Sequence, residues 1–526
     1  MGIPSYFSYI VKNHPELIQK LSMLSINIHN LYMDCNSVIY DVVRSSTPNI
    51  SDEDIIQKII QKIELYIHII KPTHSIFIAF DGVAPMAKLD QQRSRRYKSQ
   101  LIKSINCHIS TEENDNTSWN TTAITPGTSF MDKLHNLLTI HFDNASRYKC
   151  NNLILSTPKD LGEGEHKIFK HIRDNPSIHA TQTTVIYGLD ADLIMLSINH
   201  LPITKNIYLF RETPEFIKSI DNSLEPNENY IMDIPNLAKE IVNSMNNNNT
   251  TYSTYDTNRI YDYIFLCFFL GNDFMPHFPA LNIRTGGIDK LINSYKHTIG
   301  NTAQNITDGK TIHWKNLRKV ISFLAQLEEK YIIDEDKKRS IQEKYVYPIE
   351  NDKQKYIKFD AIPIYERGME KYIHPGKHGW QERYYKILFN IDIDDERRKQ
   401  ICINYLEGLE WTMKYYNDCC PDWNWTYNYH YPPLLQDLIK YIPYFETTFI
   451  KPNKNTPITP LTQLCYVLPK NSLNLLHPEI YKKLEPYIPE LYPEHCEMIW
   501  CYNKYFWESH VCLPHIDIAQ LQKIIM

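Results

Sequence analysis

The chain has 526 residues, enough to bury one large hydrophobic core or two to four domains of ordinary size. Hydrophobic residues make up 43% and charged residues 22% of the sequence, a composition that excludes a largely disordered protein. The formal net charge is only −5, so the whole molecule does not attract a polyanion, and a nucleic-acid site would need basic residues concentrated locally.

Short apolar runs alternate with amphipathic stretches over the first 300 residues, which predicts an α/β fold. We expect a mainly parallel, twisted sheet flanked by helices, with a helical, irregular C-terminal region packed against it. The predicted strands are Asn27–Met33, Ser75–Phe80, Asn152–Leu155 and Thr184–Leu189, and the predicted helices include Asp52–Ile70 and Phe130–Asn144. The polar segments Ser104–Thr122 and Ser244–Asp256 are expected to be loops.

The alternation fades after about residue 300. Residues 301–375 are mixed and charged, and we expect a connecting or inserted region there. From Trp380 onward the chain is rich in Tyr, Trp and Pro, which favours helices and irregular structure over another parallel sheet. The sequence therefore predicts three parts, at residues 1–300, 301–375 and 376–526.

Acidic residues follow directly after several apolar runs, at Asp34, Asp81, Asp190, Asp192 and Asp273. Ligands of an open parallel sheet bind beyond the carboxyl ends of its strands, so we expect these side chains to converge. A further pair, Glu163 and Glu165, lies in a glycine-rich turn, and residues two apart on an extended segment share a face. Any one of these acids alone could be a helix cap, turn former or ion-pair partner.

Seven carboxylates in one crevice repel each other unless cations neutralise them. All-oxygen ligation favours Mg²⁺ or Mn²⁺ over zinc. Two such ions roughly 4 Å apart suit phosphodiester hydrolysis, because one activates a water and the other stabilises the leaving oxygen. The shared position of the acids thus predicts a two-ion site.

A basic segment follows the second of these acids and has the pattern of a helix. Lys88, Gln92, Arg95 and Arg96 stand at i, i+4, i+7 and i+8, within a wedge of roughly 100°. Arginine can hold a phosphate through two parallel hydrogen bonds. A solvated basic face is the simpler interpretation of this helix in isolation, but its place beside the acids favours a pocket for a terminal phosphate.

These motifs resemble the Xrn family of 5′→3′ exoribonucleases. The resemblance rests on Met1-Gly-Ile-Pro-Ser-Tyr-Phe7, Asp81-Gly-Val-Ala-Pro85, Gln91-Gln-Arg-Ser-Arg-Arg96, Ile124-Thr-Pro-Gly-Thr128, Gly162-Glu-Gly-Glu-His166, Tyr187–Leu196 and Leu270-Gly-Asn-Asp-Phe274. It resumes in Gly379–Tyr385, Tyr405–Trp411 and Trp423–Tyr431, so it covers nearly the whole chain in the family's order.

The resemblance implies a nuclease core similar to that of PIN and flap-endonuclease proteins, and hydrolysis of single-stranded RNA bearing a 5′-monophosphate. It implies that nucleoside 5′-monophosphates are released at a site for two Mg²⁺ ions, with Mn²⁺ as a substitute. The metal ligands would be Asp34, Asp81, Glu163, Glu165, Asp190, Asp192 and Asp273. The pocket for the 5′-phosphate would be formed by Lys88, Gln92, Arg95 and Arg96 and would exclude a cap or triphosphate.

The family also stacks the first bases of the RNA between two aromatic side chains, a grip worth roughly 1–3 kcal/mol per base. One of them corresponds to Trp423 or Trp425, and Trp423 is preferred. The other is a histidine in the family, where this chain has Tyr40. Either tryptophan could instead belong to the hydrophobic core.

Two other functions stay open at this point. A structure-specific flap endonuclease acting on DNA would share the metal site, but it has a glycine-rich turn where this chain has Phe274–Ile283. A catalytically silent RNA-binding protein would be expected to have lost one of the acids, and all are present.

The 11 cysteines form no C-x-x-C pair and no cluster at zinc spacing, which indicates a reducing compartment. We expect a cytoplasmic protein, with a nuclear one as the alternative. The richness in Ile, Asn, Lys and Tyr is typical of an AT-rich genome, such as that of a virus or protist. The longest apolar stretch, near Asp262–Leu270, is too short to span a bilayer. Because the second family block ends shortly before Met526, we expect a short form without the further C-terminal domains of the large cytoplasmic members.

Overall fold

The structure is a computed structural model that describes residues 3, 5–23, 26–47, 49–110, 119–246, 256–392, 394–451, 453 and 456–526. The strands are β1 Ile18–Lys20, β2 Asn30–Asp34, β3 Ser75–Ala79, β4 Asn152–Ser156, β5 Thr184–Tyr187, β6 Ile207–Glu212, β7 Asn229–Asp233, β8 Glu497–Ile499 and β9 His510–Cys512. Strands β1 to β7 form one sheet, and β8 and β9 form a separate hairpin.

Helices surround this sheet and make up most of the C-terminal region. Those before residue 300 are α1 Tyr6–Asn13, α2 Asn36–Arg44, α3 Asp52–Ile70, α4 Met86–Ile109, α5 Ser129–His141, α6 Gly164–Asp174, α7 Pro176–His179, α8 Asp192–Asn199, α9 Ile234–Met245, α10 Asp256–Cys267 and α11 Gly287–Tyr295. Those after it are α12 Trp314–Gln342, α13 Asp352–Asp360, α14 Ile362–Tyr365, α15 Gly368–Ile373, α16 Trp380–Phe389, α17 Asp395–Asn417, α18 Leu435–Tyr441, α19 Pro460–Val467, α20 Pro478–Leu484, α21 Ile488–Leu491 and α22 Ile518–Ile525.

The central strands run parallel in the order β6-β5-β2-β3-β4, and antiparallel β7 and β1 extend the edge beyond β6. The chain moves from β2 through β3 to β4 and then returns to β5 on the other side of β2. Such a change of direction opens a crevice at the carboxyl ends of the strands. Asp34 pairs in register with Ala79, and Met33 with Tyr187, so these ends are level.

Both faces of the sheet are buried because successive strand side chains alternate in direction. Tyr32 and Phe77 pack in a core with α6, α8 and the C-terminal helices, while Leu31 and Ile76 pack in a second core with α2, α3 and α5. The stripe of isoleucines on α3 is typical of an amphipathic helix that covers a sheet. Ser51 caps α3 by accepting a hydrogen bond from the backbone N–H of Asp54, a contact worth about 1 kcal/mol.

One hydrophobic core continues from the sheet into the C-terminal region and includes the fully buried Trp314, Trp380 and Trp411. Residues 301–375 contribute the long helix α12, which packs on α11 and α18. A third cluster, around α19 and α22, packs against the first turns of α4. The division at residues 300 and 375 stays a prediction.

Helix α4 is held by both halves of the protein. Its first N–H, of Met86, donates to the carbonyl of Trp423 at 2.9 Å. Arg93 donates to the carbonyls of Pro514 and Leu491 at 2.8 and 3.0 Å, so this arginine serves packing and lies away from the Lys88 face. Lys88 also pairs with Glu163, so the basic helix is held by the N-terminal half of the chain as well as by the C-terminal segment.

The predicted fold class is confirmed, and the four predicted strands correspond to β2, β3, β4 and β5 with shifted ends. The prediction missed β1, β6 and β7, because short apolar runs such as Ile207–Phe210 do not by themselves distinguish a strand from a buried helical turn. The loop predicted from Ser104 is wrong as far as Ile109, where α4 continues and Ser104 bonds to the helix backbone. The rest of that segment at 111–118, residues 247–255, and Met1, Gly2 and Pro4 of the N-terminal motif lie outside the described residues.

Among the described helices, none combines the length with the sustained hydrophobicity that a bilayer-spanning segment requires.

Candidate active site

Acidic side chains surround the crevice at the carboxyl ends of the central strands. Asp34 ends β2, Asp81 follows β3, and Asp190 and Asp192 follow β5. Asp273 reaches the crevice from the turn after α10, where Gly271 adopts φ +84°. A Cβ at that glycine would lie 2.8 Å from the backbone nitrogen of His277, so the turn requires glycine.

The two closely spaced acid pairs stand at helix N-termini. Glu163 caps α6 and Glu165 lies in its first turn, while Asp192 is the first residue of α8. The expectation that Glu163 and Glu165 share an extended segment is therefore wrong, because Glu165 is helical. Helix N-termini carry partial positive charge and unpaired N–H groups, which stabilise carboxylates there; the N–H of Gly164 donates to Asp81 Oδ1 at 2.7 Å.

The carboxylates are close enough to raise one another's pKa values. Burial raises the pKa of Asp34, and Asp81 and Asp190 raise it further. Burial followed by Glu163 raises the pKa of Asp81. Burial followed by neighbouring aspartates likewise raises the pKa values of Glu165 and Asp192, the latter to about 7. The structure thus brings all seven predicted acids together, with Asp190 exposed at the rim.

Lys88 lies inside this acidic cluster. Its ammonium group is 2.5 Å from Glu163 Oε1 and 2.7 Å from Asp273 Oδ2. Burial by itself would lower the pKa of Lys88, but the two carboxylates, Asp273 first, raise it above its ordinary value. Burial likewise would raise the pKa of Asp273, but Lys88 holds it below its ordinary range. Lys88 therefore neutralises part of the cluster and does not stand with the other basic residues of its face.

Two carboxylate oxygens of the cluster fit a bound cation. Asp34 Oδ1 and Glu165 Oε2 are buried and have no hydrogen-bond partner in the part of the chain that the structure describes. A buried oxygen without a partner is costly, and a divalent cation would satisfy it. Among the described residues, ligand atoms of Glu163, Glu165 and His166 also lie within 4.8 Å of one another. Burial lowers the pKa of His166 well below its ordinary value, so its ring is neutral at neutral pH.

Two tyrosines of α17 hold the acids from the C-terminal region, and the sequence interpretation missed them. Tyr415 donates to Glu163 Oε2 at 2.8 Å, and Tyr416 donates to Asp192 Oδ1 at 2.9 Å. The ring of Tyr415 also stacks on His166, with centroids 3.7 Å apart. The only sequence signal for these tyrosines is their position about one helical turn after the Tyr405–Trp411 motif.

Arg96 presents a buried, unpaired donor. Its Nη2 donates to Thr125 Oγ1 at 2.5 Å, whereas its buried Nη1 has no partner among the described residues. Burial lowers the pKa of Arg96 to about 10, so it stays charged at neutral pH. Arg95 and Gln92 lie beside it, half-buried. A buried guanidinium with a free N–H suits an anion.

The three aromatic candidates lie in different environments. Tyr40 of α2 is half-buried and close enough to Arg95 and Arg96 to affect the pKa of both. Trp423 is half-buried at the start of α4. Trp425 is only 8% exposed and stacks on Trp411, with centroids 5.3 Å apart. Tyr40 and Trp423 thus border the basic helix, and Trp425 packs in the core.

We predict that Gly164→Ala abolishes cation binding without unfolding the protein. A Cβ there would lie 2.7 Å from Asp34 Oδ1 and would displace that carboxylate. Thermal unfolding with and without Mg²⁺ or Mn²⁺ should show that the variant loses the cation-dependent rise in melting temperature.

The matched control is Gly368→Ala, which also alters the first residue of a helix but has open space around the new Cβ. It should retain the cation-dependent rise. An unchanged rise in Gly164→Ala would contradict the metal site.

We predict a pH-dependent stability of metal-free protein that depends on Asp192. Its folded pKa of about 7 exceeds the ordinary value of about 3.9, so the folded state holds a proton that the unfolded state has released. The free energy of unfolding should therefore fall as pH rises from about 4 to about 7 and then level off. Denaturant unfolding in the presence of a chelator should show that the free energy of unfolding falls less with pH in Asp192→Asn than in wild type. Exposed Asp143→Asn is the control and should behave like wild type. The same pH dependence in Asp192→Asn and wild type would contradict the prediction.

Sequence models of one protein family match most of this chain. A sequence model described as "XRN 5'-3' exonuclease N-terminus" matches residues 1–213, and one described as "Xrn1 helical domain" matches 254–362 and 350–526. The solved catalytic core of Rad2 in complex with a DNA substrate matches 64% of this chain and 81% of that chain at 12% identity and a TM-score of 0.33, too weak a likeness to support an argument.

Curated relatives align with essentially the whole chain. A 5'-3' exoribonuclease 2 homolog of Drosophila melanogaster is 26% identical over 100% of this chain and 71% of its own length. The 5'-3' exoribonuclease 2 of Gallus gallus is 27% identical over 99% and 69%, and the 5'-3' exoribonuclease 1 of Saccharomyces cerevisiae is 26% identical over 99% and 43%. Since the two sequence models together cover most of its residues, the chain belongs to the Xrn family of 5′→3′ exoribonucleases.

Proposed function

We propose that this chain hydrolyses single-stranded RNA from a 5′-monophosphate end and releases nucleoside 5′-monophosphates with the help of two Mg²⁺ ions, which Mn²⁺ can replace. The observation that carries the proposal is the buried, unpaired N–H of Arg96 on the same helix as Lys88, which enters the acidic cluster. The relatives are named 5'-3' exoribonucleases, which supports the direction of attack and the RNA substrate.

The spacing along α4 suits a substrate held at its end. Lys88 and Arg96 are eight residues apart, about 12 Å along the helix axis. Side chains on a helix lean toward its N-terminus, so Arg96 reaches back toward the cluster. A 5′-phosphate bound at Arg96 would place the next phosphodiester near the carboxylates.

The chain's own residues prepare the site for hydrolysis. Bound divalent cations would supply an activated water and stabilise the leaving oxygen. The hydroxyls of Tyr415 and Tyr416 fix the orientation of Glu163 and Asp192. Lys88 neutralises two of the acids and would stabilise the negative charge that grows on the phosphate under attack.

The Arg96 pocket favours a monophosphate for an energetic reason. A 5′-hydroxyl end would leave the buried Nη1 donor without an acceptor. Thr125 already accepts a hydrogen bond from Nη2, so the guanidinium has fewer donors left for the further phosphates of a triphosphate or cap. The half-buried rings of Tyr40 and Trp423 would stack on the first bases regardless of sequence.

Incubation with matched RNAs tests the proposal. Single-stranded RNAs bearing a 5′-monophosphate, 5′-triphosphate or 5′-hydroxyl are each mixed with the protein and Mg²⁺, and products are resolved as mononucleotides or fragments. Mononucleotides from the 5′-monophosphate RNA are expected. Preference for branched DNA would indicate a flap endonuclease, and absence of any product would indicate a silent RNA-binding protein.

We predict that Asp190→Ala lowers the cleavage rate by roughly a hundred- to a thousandfold, because it removes a proposed metal ligand from a charge-stabilising site. Stability should change little, since Asp190 is exposed at the rim and its loss also relieves repulsion. Exposed Asp143→Ala is the matched control, and a fully active Asp190→Ala enzyme would remove this residue from the site.

We predict that Arg96→Ala weakens the preference for a 5′-monophosphate over a 5′-hydroxyl by roughly ten- to a hundredfold, the scale of a charge-assisted hydrogen bond. Exposed Arg44→Ala is the control for loss of a charge. Competition between the two RNAs measures the preference, and an unchanged ratio would exclude Arg96 from the pocket.

A further inference from the structure

A large cavity opens along a second face of helix α4. It has a volume of about 1120 Å³, slightly above the roughly 300–1,000 Å³ typical of small-molecule sites. Gln91, Ser94, Arg95 and Lys98 line it from the helix. At 3.6 residues per turn, the centre of this face lies about 95° around the axis from the centre of the face that carries Lys88 and the proposed phosphate pocket.

The cavity meets the acidic cluster and the phosphate pocket. Asp273 lines the cavity and accepts a hydrogen bond from Gln91 Nε2 at 3.1 Å. Arg95 lies on the boundary between the two helix faces, because it belongs to the basic wedge and also lines the cavity. A nucleotide released at the cluster would therefore reach the cavity by moving along one helix.

Flat rings from the C-terminal region also line the cavity. Tyr427, Tyr429 and Trp507 line the cavity. His430 and His510 also line it, and their rings stack with centroids 5.2 Å apart. Aromatic and imidazole rings bind nucleobases by stacking without regard to base identity.

Several polar atoms in the lining of the cavity have no hydrogen-bond partner among the described residues. Asn503 Oδ1 and Ser509 Oγ are unpaired, and their residues are only 5% and 1% exposed. Gln91 Oε1 and Asn272 Nδ2 are buried and unpaired as well, and all four residues line the cavity. Such a set of free donors and acceptors suits a ligand with both, as a base and ribose have.

Positive charge is available for a phosphate. Lys98 Nζ is 2.6 Å from the carbonyl of Ser509, and burial lowers its pKa to about 8, so it is still mostly protonated at neutral pH. Arg95 adds a second positive charge from the same helix, whereas the charge of Arg284 is paired with Glu508 at 2.6 Å. The cavity thus offers rings, amides and cations to one ligand.

We propose that this cavity receives the nucleoside 5′-monophosphate after each cleavage and conducts it out of the enzyme. The inference rests on the proposed function. After a cut, the shortened RNA would still be stacked on Tyr40 and Trp423, so the product cannot leave past these rings without displacing it. The cavity lets the product leave along α4 while the RNA advances into the phosphate pocket.

The test narrows the cavity with Ser94→Trp. Ser94 lines it from α4 and takes part in no contact with the acids or the phosphate pocket described above. The first cleavage, measured with enzyme in excess, should stay within about twofold of wild type, whereas steady-state release of mononucleotides should fall about tenfold, as expected when product release limits turnover. Inhibition by added AMP should weaken by a similar factor.

Ser99→Trp is the matched control, since Ser99 is exposed on the same helix and should leave both rates unchanged. An equal fall in first cleavage and steady-state rate for Ser94→Trp would show that the cavity admits RNA and would overturn the proposal. Rates and AMP inhibition equal to those of Ser99→Trp would also overturn it.

A second variant guards against misfolding of Ser94→Trp. Trp507→Ala removes one ring of the wall, so equilibrium dialysis should show AMP binding about tenfold weaker than in wild type, on the scale of one stacking contact. Unchanged AMP binding in Trp507→Ala would contradict the proposed role of the cavity but not the proposed function. Wild-type protein that releases no mononucleotide from RNA would instead refute the proposed function.

Discussion

Repulsion among buried carboxylates is the constraint on which the rest of this structure depends. Desolvation and neighbouring charges both disfavour the ionised forms of Asp34, Asp81 and Glu165. The fold offsets this cost with helix N-termini, with backbone N–H donors and with the ammonium group of Lys88. Oxygens that stay unpaired after these contacts leave a place for hard cations.

The C-terminal region belongs to the same chemical unit as the sheet. Helix α17 supplies the hydroxyls of Tyr415 and Tyr416 to acids that the sheet region carries. The carbonyl of Trp423 accepts from the first N–H of α4, which fixes the start of the basic helix. Because the acids and the basic helix are both held from two sides, the spacing between the proposed phosphate pocket and the cluster does not depend on one flexible segment.

Different faces of helix α4 have different roles in the proposed mechanism. One side chain, Lys88, enters the acidic cluster, and Arg96 extends toward the proposed 5′-phosphate. Arg93 anchors the helix to the C-terminal segment, and Gln91 links Asp273 to the large cavity. A long helix suits this arrangement because its rigid, regular spacing sets the positions of substrate end, reacting bond and departing product relative to one another.

The sequence by itself determined the fold class, the acids and the family, because apolar runs that end in aspartate report directly on parallel strands and their carboxyl ends. Helical periodicity also predicted α4 and showed that Arg93 points away from the face that carries Lys88 and Arg96. Only the tertiary structure showed that Lys88 joins the acids, that Trp425 packs in the core and that Tyr415 and Tyr416 reach the site. These features depend on contacts between residues far apart in the chain, which neither helical periodicity nor local spacing encodes.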